Sequence, residues 1–312
     1  YRKIDFQQNL GSDFYNAKLT PCPVVGVTNC AFKTGPYIFL GQNIPLKLEQ
    51  HVYALFGEVN LPITDALNAQ VSARYEDYGG ATGSTFNPQV RAKWQLVPWL
   101  AIRGSAGTSF RGPTAANVAP TGTTGLSGIT AAGNNFKSVD FFGNPSTAPE
   151  KAFTYSTGAI IQAGNLTATV DYWYYRLRDQ ITTVPANIIA SAVAGVGNGS
   201  QFVNCASPVR NLITFNNNNA CVQGVTVGND IARIRSDTTN GPTIKTSGID
   251  AEVNYRFDDV AGGSLDLGAN VSYVFDYKQA AFVFGGVTVS PAYEAAGYTN
   301  YDRLPGTISD WR

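Results

Sequence analysis

The sequence predicts an all-β protein, an antiparallel transmembrane β-barrel of which this chain supplies about eight to ten strands. Three observations lead to this class. Charged residues make up only 14% of the 312 residues, apolar and polar residues alternate with a period of two, and the connections between the alternating runs are short and long in turn. An ordinary soluble domain carries about a quarter charged residues. Part of this surface is therefore expected to face a solvent other than water.

Five runs of the sequence alternate strictly enough to be assigned as strands. From Leu67 to Glu76 the odd positions are apolar or aromatic and the even positions are polar, so an extended chain has one face of each kind. The same alternation is found at 166–175, where Trp173 and Tyr175 lie on the otherwise polar face. The other runs are 90–96, 249–257 and 265–273. A spanning strand needs this pattern, because lipid contacts one face and a wet lumen the other.

The connections between these runs fall into two length classes. Short turns are expected at about 62–65, 97–99, 163–165 and 258–263, and long connections at about 77–85, 110–150, 179–245 and 279–303. Outer-membrane barrels have short periplasmic turns and long extracellular loops. We therefore assign residues 1–312 to part of a barrel domain with extracellular loops at about 110–150, 179–245 and 279–303. Aromatic residues near the strand ends suit the girdles at the two membrane interfaces, as at Tyr75, Trp94, Trp99, Tyr273 and Phe275.

Four cysteines form two close pairs, Cys22 with Cys30 and Cys205 with Cys221, each among residues typical of loops. The sequence alone allows three pairings, and local bridges are favoured because each closes a short loop. Four free thiols are the alternative. Disulfides persist in an oxidising compartment such as the cell envelope or exterior.

Composition and motifs argue against several other classes of protein. Lys plus Arg and Asp plus Glu both total 22, so the formal net charge is zero and no nucleic-acid partner is expected. The single histidine, His51, cannot supply a two-histidine metal site. Nucleophile-elbow, phosphate-loop and C-x-x-C motifs are absent from the sequence. We expect no enzymatic activity, no metal site and no cofactor.

Four segments, in order along the chain, resemble motifs of the TonB-dependent receptors. Residues 100–114 read LAIRGSAGTSFRGPT, which resembles the family's L-x-x-R-G-S-x-G-x-x-F-R-A-P strand leading into an extracellular loop. Phe110, Arg111 and Pro113 match the motif, and Gly112 stands where Ala or Ser is usual. The other three segments are 74–78 (RYEDY), 149–151 (PEK) followed by a strand, and 246–250 (TSGID).

The resemblance implies a barrel of about 22 strands closed by an N-terminal plug, which imports a scarce nutrient across the outer membrane of a Gram-negative bacterium. It implies a small-molecule ligand, namely a ferric siderophore or similar iron chelate, cobalamin or an oligosaccharide. It also implies contact with outer-membrane lipid and, through the plug, with the inner-membrane TonB energy-coupling complex. We expect the plug to be absent from residues 1–312, and the chain to supply the middle to C-terminal part of the barrel.

Aromatic residues of the long loops are the candidates for ligand contact, because their flat amphipathic rings can stack on a catecholate, a macrocycle or a sugar. They are Phe136, Phe141, Phe142, Tyr293, Tyr298 and Tyr301. Packing among the loops or at the lipid interface is the alternative for these rings. Two other classes stay open for the whole chain: a self-contained small outer-membrane barrel acting as an adhesin or structural protein, and a secreted β-sandwich lectin. The lectin would need a polar outside and would leave the alternation of short and long connections unexplained.

Overall fold

The computed structural model describes residues 1–8, 46–80, 82–119, 122–216, 218–299 and 304–305. The first strands are β1 (Arg2–Gln8), β2 (Leu46–Pro62), β3 (Leu67–Asp77), β4 (Ser84–Val97), β5 (Leu100–Arg111), β6 (Gly122–Ile129), β7 (Asn135–Phe142), β8 (Glu150–Ala163), β9 (Leu166–Arg178) and β10 (Ile181–Thr183). The others are β11 (Ile213–Phe215), β12 (Ile231–Asn240), β13 (Ile244–Val260), β14 (Gly263–Gln279), β15 (Phe282–Phe284), β16 (Val287–Ser290), β17 (Tyr293–Glu294), β18 (Tyr298–Thr299) and β19 (Leu304–Pro305). The helices are α1 (Ala115–Val118) and α2 (Ala186–Ala194), with 3-10 turns at Thr130–Ala132, Arg210–Leu212 and Gly228–Asp230.

Ten of these strands form one large sheet, which we call the barrel sheet. Its order is β1-β2-β3-β4-β5-β8-β9-β13-β14-β17, and neighbouring strands are antiparallel. The five runs that alternate in the sequence lie within β3, β4, β9, β13 and β14. The expected antiparallel segment of a transmembrane β-barrel is confirmed.

The barrel sheet has an apolar face that is exposed, which we call the lipid face. Across four strands, Val59 pairs with Val71, Val71 with Val90, and Val90 with Ala106, so one continuous apolar row crosses the wall. Val59 is 55% exposed, Val71 44% and Val90 45%. A soluble domain would bury such a row, whereas the outside of a transmembrane barrel presents it to lipid.

The opposite face of the sheet is polar, and we call it the lumen face. Arg103 Nε donates to Asp171 Oδ1 at 2.7 Å, although β8 lies between the strands that carry these two residues. The intervening residue in the register is Gly158, where a Cβ would collide with the Asp171 carboxylate. Ser105 and Ser156 share a hydrogen bond of 2.9 Å on the same face. The polar residues of the alternating runs therefore form a hydrated wall.

Aromatic rings collect on the lipid face near the ends of the strands that lead into the long connections. Tyr155 contacts Tyr172 and Tyr174 at ring-centroid distances of 5.9 and 5.0 Å. Tyr172 in turn lies 6.3 Å from Phe275, on β14. Such a belt is typical of the aromatic girdle where a barrel wall meets the membrane–water interface.

Three of the long connections fold into a body of their own, which we call the loop domain (residues 112–149, 179–243 and 280–292). Its sheet has the order β10-β12-β7-β6, and β11 pairs with β12. The largest fully buried side chains among the described residues all belong to it: Phe215, Ile129, Ile189, Ile213, Ile231, Ile234, Val139, Val184, Val193, Val203 and Thr147. Helix α2 covers this core with Ile189 and Val193. The barrel wall thus exposes its apolar side chains on the lipid face, whereas the loop domain buries its apolar side chains in a core.

A disulfide between Cys205 and Cys221 fastens the loop domain, which confirms the predicted local pairing at this pair. Cys22 and Cys30 lie outside the described residues. Helix α2 occupies most of 186–197, an apolar stretch of the sequence that Asn187 and Ser191 interrupt. Within the described part of the chain, no helix is both long and apolar enough to cross a membrane.

Candidate functional site

All long connections leave the barrel sheet at the same end, because an antiparallel sheet with hairpin turns at one end returns every other connection to the opposite end. The short turns at the far end follow β2, β4, β8 and β13. Two concave regions rich in polar and aromatic groups lie at the long-connection end. We call them the rim pocket and the loop cleft.

Charged side chains line the rim pocket, and both oxygens of the Glu76 carboxylate accept hydrogen bonds. Arg74 Nε donates to Glu76 Oε1 at 2.6 Å, and the Tyr78 hydroxyl donates to Glu76 Oε2 at 2.7 Å. Arg111 Nε likewise donates to Glu150 Oε2 at 2.7 Å. Glu76 and Glu150 are both buried, so each buried carboxylate is held by a guanidinium group, as its desolvation requires.

Tyr78 explains the glycine that departs from the family pattern in the sequence. Its ring meets the ring of Phe110 edge-on at 6.0 Å, and a Cβ at position 112 would collide with the Tyr78 ring. Burial and the neighbouring Glu76 carboxylate raise the pKa of Tyr78 to about 12. Gly112 therefore gives Tyr78 the room to close the rim beside the motif residues Phe110 and Arg111. The third motif residue, Pro113, also lines the rim pocket.

Pro88 opens the rim pocket. The ladder between β4 and β5 ends at Gln89 and Gly107, while β4 stays paired with β3 up to Ser84. Proline has no N–H to donate to a ladder, so pairing ends where Pro88 stands. The two strands separate above it and leave a concavity of about 710 Å³.

The loop domain is tied to the rim by side chains rather than by the chain alone. Asn240 Nδ2 donates to the carbonyl oxygens of Ala148 and Asp179 at 2.9 and 2.8 Å, and its Oδ1 accepts from the Ala148 N–H at 3.0 Å. Glu150 Oε1 accepts from the Ile181 N–H at 2.8 Å. These bonds join two of the long connections and fix the loop domain above the barrel wall.

The loop cleft has a volume of about 790 Å³ and lies between two parts of the loop region. One wall comes from β10 and α2, and the other from the end of β14, the β15–β16 hairpin and β17. The Tyr293 hydroxyl donates to Gln279 Oε1 at 2.9 Å, and Gln279 Nε2 lies 3.4 Å from the Ser290 hydroxyl. Its described lining carries no charged side chain: Gln180, Thr182, Thr183, Pro185, Asn187, Ile188, Pro242, Tyr277, Gln279, Phe282, Val289, Ser290, Tyr293 and Ala295.

A strip of aromatic residues on the lumen face leads towards this cleft. Trp173 and Tyr175 have ring centroids 5.5 Å apart, and Thr246 pairs with Tyr175 on one side and with Tyr277 on the other. The indole of Trp173 lies over Gly248, where any Cβ would collide with it. The lumen wall below the loop cleft therefore offers flat aromatic surface.

Of the six predicted ligand-contact residues, those whose side chains the structure describes lie in different places. Tyr293 lines the loop cleft, whereas Phe136 and Phe141 are exposed on β7, outside the residues that form it. Phe142 is half-buried, with the Arg235 guanidinium 4.8 Å above its ring centroid. Tyr298 begins β18, and Tyr301 lies outside the described residues. Among the residues that the structure describes, no cluster of three His, Cys, Asp or Glu side chains is placed to hold a metal ion.

Sequence reasoning missed most of the cleft lining. Tyr277 and Gln279 follow a bulge in β14, where the register to β13 shifts between Ser247 and Gly248. Beyond the bulge, the residues of β14 that face the lumen change from even to odd positions. The alternation that identifies 265–273 therefore does not extend to Tyr277 and Gln279. Ile188 lies on α2, which carries no alternation of period two.

An antiparallel wall with a lipid face, a polar lumen face and long connections at one end defines a segment of an outer-membrane β-barrel. The family model described as TonB dependent receptor-like, beta-barrel, matches residues 2–312. The chain therefore belongs to the TonB-dependent receptor family, and it is a protein of the Gram-negative outer membrane.

Solved structures share the fold of this chain, and a protein of Vibrio cholerae is similar to part of its sequence. The siderophore receptor PirA from Acinetobacter baumannii shares the fold with a TM-score of 0.54 at 15% identity, over 88% of this chain and 32% of that one. A variant of the ferric enterobactin receptor from Pseudomonas aeruginosa, solved with enterobactin, gives 0.53 at 13% identity, over 88% and 35%. The iron-regulated outer membrane virulence protein of Vibrio cholerae is 30% identical over 115 residues, which are 36% of this chain and 16% of that protein. The chain thus spans about a third or less of these relatives.

Proposed function

We propose that this chain is part of a receptor that imports a ferric chelate across the outer membrane with energy from the TonB complex. The match to the receptor barrel over residues 2–312 carries this proposal. The iron-regulated Vibrio relative and the fold shared with siderophore receptors support iron as the cargo. The iron chelate is substrate and is not a resident cofactor.

In this proposal the long connections at about 110–150, 179–245 and 279–303 are extracellular, and the loop cleft receives the ligand. Phe136 and Phe141 are exposed on the loop domain and make the first contact, and Tyr293 contacts the ligand in the cleft. The barrel wall performs no covalent chemistry. A plug outside residues 1–312 connects the ligand to the TonB complex.

Uptake of radioactive iron by iron-starved cells of the source bacterium tests this function. Deletion of the receptor that carries this chain is expected to abolish uptake of at least one ferric chelate, and deletion of the TonB gene is expected to abolish the same uptake. The matched control is uptake of a small nutrient that crosses general porins, which both deletions leave unchanged. Unimpaired iron uptake, together with lost uptake of cobalamin or an oligosaccharide, would refute iron as the cargo.

A further inference from the structure

The described residues that line the loop cleft carry no charge, although charged residues are common around them. This lining consists of tyrosine, phenylalanine, amide, hydroxyl and aliphatic side chains. The rim pocket, at the same end of the sheet, is lined by Arg2, Arg74, Arg111 and Glu76. The two concavities therefore favour ligands of different charge.

Several charged groups beside the loop cleft are paired with one another, whereas Arg210, on the far side of the loop domain, bonds backbone carbonyl oxygens and Asn219. Lys278 bonds the Asp276 carboxylate and lies 3.7 Å from Glu294 Oε2. Arg235 Nε lies 2.6 Å from Asp237 Oδ1. Opposite charges held this close nearly cancel at a distance, so they give the cleft little net field to attract an anion.

Ferric chelates differ in their net charge, the property to which an uncharged lining responds most strongly. Three catecholates bring six negative charges to Fe³⁺, so a ferric tris-catecholate carries three negative charges. Three hydroxamates bring three, so a ferric trihydroxamate is neutral. A trianion that enters an uncharged cleft loses its hydration without a compensating cation, whereas a neutral chelate loses far less.

The cleft also offers the groups that a neutral chelate needs. The rings of Tyr277 and Tyr293 provide flat amphipathic area. The amide groups of Gln180 and Gln279 can donate to hydroxamate and peptide carbonyl oxygens and accept from N–H groups, whereas the Asn187 amide already bonds the Gly128 carbonyl oxygen and the Thr130 N–H. These side chains can orient a bound chelate without adding charge to the site.

We propose that the loop cleft selects an uncharged ferric trihydroxamate over an anionic ferric tris-catecholate. This inference rests on the proposed function, since it names the chemical class of the ligand at the same site. It predicts that binding depends little on ionic strength.

Binding to the purified receptor that carries this chain tests the inference. The probes are a cyclic ferric trihydroxamate of zero net charge and a synthetic ferric tris-catecholate, each titrated at low and at high ionic strength with intrinsic fluorescence as the readout. We expect the trihydroxamate to bind at least about tenfold more tightly, with an affinity that salt hardly changes. Equal or tighter binding of the tris-catecholate would overturn the inference and leave the proposed function intact. Binding of neither probe, with iron uptake unaffected by deletion of the receptor, would refute both.

Two variants test whether the preference between the two chelates arises in the loop cleft. Gln279→Lys puts a cation in one wall, and we expect it to raise the affinity for the tris-catecholate by about tenfold while weakening the trihydroxamate. Thr182→Lys provides the same charge from the opposite wall, in case the loss of the Tyr293 hydrogen bond disturbs the first variant. Gln162→Lys, at the short-turn end of β8, is the matched control and leaves both affinities unchanged. If neither cleft variant shifts the preference, the selection does not lie in this cleft.

Discussion

The barrel sheet and the loop domain are made from the same apolar residue types and place them in opposite ways. In the barrel sheet, Leu55 is 74% exposed and Leu267 54% exposed, on the face that meets lipid. In the loop domain, Phe215 and Ile234 are fully buried. The wall is one layer thick and has lipid as its apolar solvent, whereas the loop domain stands in water and must enclose a core of its own. Apolar residues are thus stabilised by contact with lipid in one region and by burial from water in the other. Substitutions in each region can test the two effects separately.

Truncation of the loop core should have the largest effect. Phe215→Ala removes a fully buried ring and is expected to destabilise the loop domain by about 3 to 5 kcal/mol, since the loss of apolar burial adds to the cost of a cavity. Hydrogen exchange in the receptor should show faster exchange in β11 and β12 and unchanged exchange in β3 and β4. Phe136→Ala is the control, because that ring is 75% exposed and its loss should cost less than about 0.5 kcal/mol. Equal effects of the two changes would refute a separate loop core.

Removal of the disulfide should also destabilise the loop domain, because the bridge restricts the unfolded chain. Replacing Cys205 and Cys221 by serine opens a bridge with a sequence separation of 16, and the loop domain should lose about 3 kcal/mol. Proteolysis of the receptor should then cleave the loop domain first, as it should in wild-type protein treated with a reductant. Simultaneous loss of the barrel strands would show that the two regions unfold as one.

A charge on the lipid face tests whether this face of the barrel sheet contacts lipid. Val71 lies in the middle of β3, and Val71→Arg is expected to cost about 2 to 4 kcal/mol if the site is near the bilayer midplane. Ser72→Arg, on the lumen face of the same strand, should cost much less because the side chain stays in water. Folding titrations of the receptor in lipid vesicles give both values. Two equally harmless substitutions would contradict the assignment of the faces.

A smaller effect is expected at the rim, where the two regions meet. Gly112→Ala places a Cβ against the Tyr78 ring, and displacing that ring should cost about 1 to 2 kcal/mol. The displaced phenol leaves Glu76, so its pKa should fall from about 12 towards that of an exposed tyrosine. A double-mutant cycle with Tyr78→Ala checks the cause, since Gly112→Ala should be nearly neutral once the ring is gone. An unchanged cost in the cycle would place the strain elsewhere.

The sequence predicts the barrel sheet well because two solvents act on alternate residues. Residues 67–76 can be assigned to a strand from their own side chains, and they fall within β3. The loop domain leaves no such local pattern. Its core joins Ile129, Ile189 and Ile234, which come from three separate segments and show no common period. The predicted ligand residues divide for the same reason: Tyr293 reaches the loop cleft, while Phe136 and Phe141 stay on the surface of β7.

The sequence by itself determined the five alternating strands, their two faces and the alternation of short and long connections, and it favoured the local Cys205–Cys221 bridge over the other pairings. Each of these depends on neighbouring residues or on a short loop, so local chemistry is sufficient to specify them. Only the tertiary structure decided that three long connections share one core, that Gly112 receives the Tyr78 ring and that a cleft whose described lining carries no charge forms between α2 and the end of β14. These features join segments far apart in the chain, and contacts of that kind are set by packing in three dimensions rather than by any pattern along one strand.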